Sequence, residues 1–303
     1  MLDISAPQFT DETAAIARLE ASRWPDGVNC PHCGSVNVRR MGGETQAGMF
    51  LCNDCRDKFT ARTGTVMERS HIPVHKWLLA IHLLNSSKKG MSAHQMHRML
   101  DITYKSAWFL CHRIREAMRD GKPTPMGNNG GPVQADETYY GNTSKRAKRY
   151  KKGHSQKSGV VALVEPATGK ARAFSVKSAT AEKVGKILYT NVRRKAVLVT
   201  DESRLYDFAG DQFSEHQTVL HNARKYVNKD GYTTNNVENF FGVSKKGMVG
   251  TYHFCGEHHL QRYLDEFCFR YSNRSGLGIG DVERAALALK GIEGKRLTYR
   301  RPN

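Results

Sequence analysis

Two cysteine pairs, Cys30-Pro-His-Cys33 and Cys52-Asn-Asp-Cys55, are separated by 18 residues. Each CxxC pair makes a knuckle whose two sulfurs reach one ion, and four thiolates close a tetrahedral Zn²⁺ shell. Gly34, directly after the first pair, permits the tight turn that aims backbone amides at sulfur. Four unliganded thiols would leave this short segment with too few apolar residues to fold. The spacing therefore predicts a structural zinc ribbon held by Cys30, Cys33, Cys52 and Cys55. His32 could replace one sulfur, but four cysteines make that unnecessary. Cys111, Cys255 and Cys268 lie in apolar or aromatic helical settings and read as core residues.

The second chemical set is acidic. Asp136 sits in VQADETYYG, with small or apolar residues before it and aromatics after it. An acid in such a strand is costly to bury unless something positive compensates it. Asp201 closes KAVLVTD, whose apolar run reads as an interior strand. The ends of such strands commonly carry ligand or metal chemistry in α/β folds, although an isolated acid there would read as a cap or turn. Glu238 opens a helix in TTNNVENFFGVSKKG, where Asn235–x–x–Glu238 also satisfies the capping-box pattern. Glu238 and Lys245 are seven residues apart and project from one helix face, kept low by Gly242. An acid there could hold a metal while Lys245, followed by Lys246, holds a nucleic-acid phosphate. Two strand acids and one helix acid are what a ribonuclease-H-like fold needs to bind two Mg²⁺ or Mn²⁺ ions ~3.5–4 Å apart. Hard oxygen ligands suit those ions, as sulfur suits zinc.

The elements that must position these residues follow from the pattern. Residues 1–22 carry a short helix with Thr10 as its expected N-cap, and 23–68 form the ribbon. Residues 69–120 are helical: Trp77, Ile81 and Leu84 recur at helical spacing, Ser92 caps a second helix, and a third follows Asp101-Ile102-Thr103. The last two helices suit a helix-turn-helix with Lys105, Arg113 and Arg115 on DNA phosphates. A plain three-helix packing module would show the same apolar stripe, and both readings stand at this point. GKPTPMGNNGGP, residues 121–132, reads as a linker. Residues 133–275 then combine strands and helices into a mixed sheet flanked by helices, so the fold class is α/β. Within it, PATGK makes a hairpin turn, and Leu260, Tyr263, Leu264, Phe267 and Tyr271 form a core-facing stripe. His221 and Asn222 read first as a strand end and second as neighbours of the acidic site. Residues 276–303 are expected to be a basic tail.

The totals agree with this plan. The chain has 303 residues, 47 Lys+Arg against 29 Asp+Glu, and a formal charge of +18, a balance that favours a polyanionic partner. No apolar run approaches the ~20 residues of a membrane span. The N-terminus is acidic and lacks a signal-peptide core, and the paired cysteines suit a reducing compartment. A cytoplasmic, nucleoid-associated protein with no membrane partner is the expectation.

CPHCG…CNDC…KFTARTGTVME, the helical segment and DETYYG…VLVTDES…NNVENFFGVSKKGMVGTYHF…HLQRYLDEFCFRYSNR resemble the bacterial insertion-sequence transposases of the DDE superfamily. The likeness is to the group with an N-terminal zinc ribbon and a short catalytic domain, and runs from about Ala21 to Arg274. It implies Mg²⁺-dependent cleavage and strand transfer on a ribonuclease-H-like core, binding to terminal inverted repeats and target DNA, and assembly as a homo-oligomer. Asp136 and Asp201 match the first two catalytic acids of that family. Glu238 matches the third, with Lys245 at the superfamily's usual offset; Asn235 is a second candidate, because some members of the group carry Asn there. Two other functions fit the same residues: a non-catalytic DNA-binding regulator built from ribbon and helices, and a nuclease that uses the acids without joining strands.

Overall fold

The computed structural model describes residues 3–43, 47–121, 123–141, 158–220 and 227–298. His221, Asn222 and the last five residues of the expected tail lie outside them. The chain forms two compact units, Met1–Arg119 together with Gly278–Asn303, and Asp120–Leu277.

The first unit begins with helices α1 (Pro7–Thr10) and α2 (Glu12–Arg23). Thr10 ends α1, and Asp11 is the residue that caps α2, its carboxylate accepting the Ala14 N–H at 2.7 Å. Strands β1 (Val38–Arg40), β2 (Met49–Cys52) and β3 (Lys58–Thr60) make an antiparallel sheet in the order β1-β2-β3. Its small core is aromatic: the Trp24 ring meets Phe50 and Phe59 edge-on at 5.7 and 5.9 Å. Helices α3 (Val74–Ser86), α4 (Ala93–Leu100) and α5 (Tyr104–Met118) follow. Ser92 and Thr103 cap α4 and α5, and Asp101 takes the left-handed conformation that ends α4.

The residues expected as a basic tail instead begin with a helix, α10 (Asp281–Lys290), that packs on α3, α5 and α2. Its apolar side buries Ala288 and Leu289. The buried Arg284 guanidinium donates to the Asn85 carbonyl at 2.7 Å and to Asp281 at 2.8 Å. The run VERAALAL has helical periodicity that the basic residues after it mask.

The second unit is built on a five-stranded sheet: β4 (Pro132–Tyr140), β5 (Ser158–Glu165), β6 (Lys170–Val176), β7 (Val197–Asp201) and β8 (Glu215–Val219), in the order β6-β5-β4-β7-β8. β4, β5 and β6 are antiparallel neighbours, whereas β7 and β8 continue the sheet parallel to β4. That antiparallel meander extended by two parallel strands is the ribonuclease-H-like arrangement. β5 is apolar from Gly159 to Val164 because both its faces are covered there. Val160, Ala162 and Val164 face helices α8 (Asn235–Gly247) and α9 (Glu257–Ser272). Val161 and Leu163 face α6 (Ala181–Asn191) and the short α7 (Asp207–Gly210). The stripe Leu260, Tyr263, Leu264, Phe267 and Tyr271 is buried in the first of these layers.

The Gly/Pro segment expected as a linker packs against this sheet. Met126 is buried, its N–H donates to the Asn191 carbonyl at 2.7 Å, and its carbonyl accepts from Arg193 at 2.9 Å. Gly127 has φ +77°, and a Cβ there would lie 2.4 Å from that of Ala196. The glycine serves close packing rather than looseness.

Candidate active site

Asp136 and Asp201 are brought together by strand register. Parallel β4 and β7 pair Pro132 with Val197 and Gln134 with Val199. Carried two residues further along both strands, that register brings Asp136 alongside Asp201, and their carboxylate oxygens lie within 4.8 Å of one another. Side chains alternate along β4, so Asp136 shares a face with Gln134 and Tyr140. Both of those residues hold α8. The buried Gln134 amide oxygen accepts the N–H groups of Asn236 (3.0 Å) and Val237 (3.1 Å), and the Tyr140 hydroxyl shares a hydrogen bond with Ser244. Asp136 lies between these two attachments, on the side where α8 carries Glu238.

The helix start differs from the expected capping box. Thr234 occupies the N-cap position without capping through its side chain. Its hydroxyl donates instead to Glu238 Oε1 at 2.7 Å. Gln134 supplies the acceptor that the box would have provided, which a reading of local sequence could not find. Asn235 is the exposed first residue of α8. Lys245 and Lys246 are exposed near its C-terminal end, with the Lys245 ammonium 5.9 Å from the centre of the Phe241 ring.

The carboxylates that gather within 4.8 Å of one another are Asp136, Asp201 and Glu137. Glu238 is outside that group but close enough for its charge to act on Asp136. Burial first, then the charges of Asp201, Glu137 and Glu238, push the Asp136 carboxyl from its ordinary 3.8 up to about 7, against the opposing hydrogen bond from the Glu137 amide. Acids placed so that one of them resists ionisation fit a site made for a cation, and the all-oxygen donor set fits Mg²⁺ or Mn²⁺. Glu137 is absent from the sequence expectations. Its one signal there was adjacency to Asp136, which alternation along a strand would send to the other side of the sheet.

In the ribbon, Cys30 Sγ lies 3.7 Å from Cys55 Sγ, and Cys33 Sγ lies 3.6 Å from Cys52 Sγ. All four sulfurs fall within one 4.8 Å group. A tetrahedron with Zn–S bonds of ~2.3 Å separates its sulfurs by roughly 3.8 Å, so the four fit zinc. Gly34, at φ +79°, closes the first knuckle with its N–H on the Cys30 carbonyl at 2.8 Å. Arg56, at φ +65°, closes the second in the same way on Cys52. The Cys55 amide beside Cys52 holds that thiol down at about 7.

The helical module alters the expected DNA face. Arg113 and Arg115 are buried, at 9% and 2% exposure, and are not available to a phosphate. The Arg113 guanidinium donates to the Glu68 carbonyl (3.1 Å) and the Leu297 carbonyl (3.3 Å), and stacks on Phe109. Their charge had marked them as surface residues, but they lie on the inward side of α5. Lys105 is exposed beside Tyr104 at the N-terminal end of that helix.

An acidic cluster on a ribonuclease-H-like sheet fits the enzymes that cut or join polynucleotides. Residues 129–272 match the ISXO2-like transposase domain, and residues 10–58 match the transposase zinc-ribbon domain. The two matches support a DNA transposase, a metal-dependent enzyme that carries a zinc ribbon. It is 27% identical, over 86% of its length and 91% of the relative's, to an uncharacterized protein in transposable element ISH50 of Halobacterium salinarum. Among solved structures it is similar to the HTLV-2 integrase catalytic core domain in complex with magnesium, at 14% identity and a TM-score of 0.29, covering 46% of this chain and 84% of that one. It is also similar to a simian T-cell lymphotropic virus intasome in complex with PP2A regulatory subunit B56 gamma, at 14% identity and a TM-score of 0.31, covering 62% and 64%. The fold rests on the strand order. No described helix is long and apolar enough to cross a membrane.

Proposed function

We propose that this chain cuts an insertion sequence at its terminal inverted repeats and joins the freed 3′ ends to target DNA, using Asp136, Asp201 and Glu238 around two Mg²⁺ or Mn²⁺ ions. The observation that carries the reading is the gathering of the Asp136 and Asp201 carboxylates within 4.8 Å on neighbouring strands, in a setting that holds Asp136 near neutrality until a cation compensates it. When bound, such ions activate the attacking oxygen and stabilise the leaving 3′-oxygen. Asp136 and Asp201 fix the ion position from two rigid, adjacent strands. Glu238 adds its charge from α8, whose start is tied to β4 by Gln134. Glu238 is the third acid in preference to the exposed Asn235, because a carboxylate supplies charge that an amide cannot. Lys245 and Lys246 project from α8 to hold backbone phosphates, and Lys105 does so at the start of α5.

This reading divides the chain into a ribbon, a helical DNA-binding module and a catalytic domain. Strand transfer needs two ends held together, which favours a homo-oligomer on DNA. The protein would act where the DNA is, in the cytoplasm at the nucleoid.

A strand-transfer assay on the element's own terminal repeats tests the proposal. Wild type should nick and join them with Mg²⁺ or Mn²⁺, and Asp201→Asn should bind them without doing either. Binding with no nicking by wild type would leave only a regulator. Nicking without joining would leave a nuclease.

A further inference from the structure

Asp201 is the last residue of β7, where pairing with Val219 of β8 sets the face its side chain takes. The turn that follows orients the carboxylate further. The Ser203 N–H donates to Asp201 Oδ1 at 3.0 Å, and the Tyr206 N–H donates to the Ser203 carbonyl at 3.2 Å. Both side chains of that turn converge on one carboxylate in a different strand. The Ser203 hydroxyl donates to Glu137 Oε1 at 3.2 Å, and the Tyr206 hydroxyl donates to Glu137 Oε2 at 2.6 Å. Tyr206 is completely buried in the layer between the sheet and α6, which makes it a fixed post. Glu137 is the neighbour of Asp136, and its own N–H donates to Asp136 Oδ1 at 2.7 Å. One peptide unit of β4 therefore orients Asp136 through its amide and the Asp201 turn through the side chain that follows.

We propose that Glu137 is a positioning residue, which sets the Asp201 carboxylate relative to Asp136 by clamping Ser203 and Tyr206. The proposal rests on the reading of Asp136 and Asp201 as the cation-holding pair. Two hydroxyl donors on a carboxylate are charge-assisted bonds, stronger than neutral ones. Groups that orient metal ligands are worth about 10- to 100-fold in metal affinity.

Mn²⁺ binding to the full-length, zinc-loaded protein, read by the loss of the free-ion EPR signal, tests this without any turnover. Glu137→Gln, Tyr206→Phe and Ser203→Ala should each weaken Mn²⁺ binding, the first two about 10-fold. The Glu137→Gln/Tyr206→Phe double variant should be no weaker than the worse single, because both changes break one clamp. Tyr206→Phe removes a single oxygen, so its melting curve serves as the folding control. Wild-type affinity in both Glu137→Gln and Tyr206→Phe would overturn the proposal. So would a loss confined to Glu137→Gln, with Tyr206→Phe and Ser203→Ala unchanged, since that makes Glu137 a ligand in its own right. If Asp201→Asn binds Mn²⁺ as wild type does, the cation-pair reading itself fails, and that result is separate from either of the others.

Discussion

Replacing Asp136 by Asn should stabilise the protein when Mg²⁺ and Mn²⁺ are absent, by an amount that depends on pH. The carboxyl ionises at about 7 in the folded chain against 3.8 for the free group, burial being the largest cause. Its raised value means that the folded state resists the charged form. The penalty is absent below about pH 3.8, grows as pH rises, and is complete above about 7. At about 1.4 kcal/mol per tenfold difference in proton affinity, it amounts to about 4 kcal/mol at pH 8, less than half of that at pH 5 and close to zero at pH 3. Asn removes the charge while keeping the oxygen that accepts the Glu137 amide. The gain belongs to the second unit, and the probe must report on it. The three tryptophans, Trp24, Trp77 and Trp108, all lie in the first unit. Hydrogen exchange of the β4 and β5 amides, followed by mass spectrometry with zinc retained, isolates the relevant opening. The variant should show slower exchange than wild type at pH 8, a difference that shrinks by more than half at pH 5 after correction for intrinsic rates. An equal effect at both pH values, or destabilisation at pH 8, would refute the electrostatic account of the site.

Four further outcomes are expected. Cys52→Ser should abolish stoichiometric zinc in a colorimetric release assay and alter Trp24 fluorescence, because Trp24 packs on the ribbon's Phe50 and Phe59. Gln134→Leu leaves two N–H groups at the start of α8 without their acceptor; urea unfolding followed by far-UV circular dichroism should show a cost of about 2 kcal/mol, and cleavage should slow because Glu238 loses its reference to Asp136. Lys105→Ala should lower the slope of log affinity for DNA against log salt by about 1. Arg113→Ala should leave that slope unchanged and cost about 2 kcal/mol in stability, since its guanidinium serves two backbone carbonyls.

Features carried by local spacing were legible in the sequence. The CxxC pairs placed four sulfurs around one point, and the apolar stripe of α9 marked its buried face. Asp136 and Asp201 were recognisable as strand acids, and a family likeness supplied their partnership. Their adjacency, however, depends on the β4–β7 register, which links segments more than 60 residues apart, and no local pattern reports that. Gln134 and Glu137 were missed for the same reason: each acts on a partner distant in sequence, the start of α8 and the turn after β7. Arg113 and Arg115 were misplaced because charge argues for solvent, whereas the carbonyls that receive Arg113 belong to Glu68 and Leu297. The segment around Gly127 reads as loose in the sequence because glycine permits both a flexible joint and a close approach. Composition cannot separate the two, and the contact with Ala196 does.

Anomalous diffraction from crystals of the wild-type chain soaked in Mn²⁺ tests the central claim most directly. The account predicts a manganese peak bridging the Asp136 and Asp201 carboxylates on the α8 side of the sheet, with Glu238 nearer to it than Asn235. No peak between those two aspartates, or manganese bound only elsewhere in the chain, would contradict it.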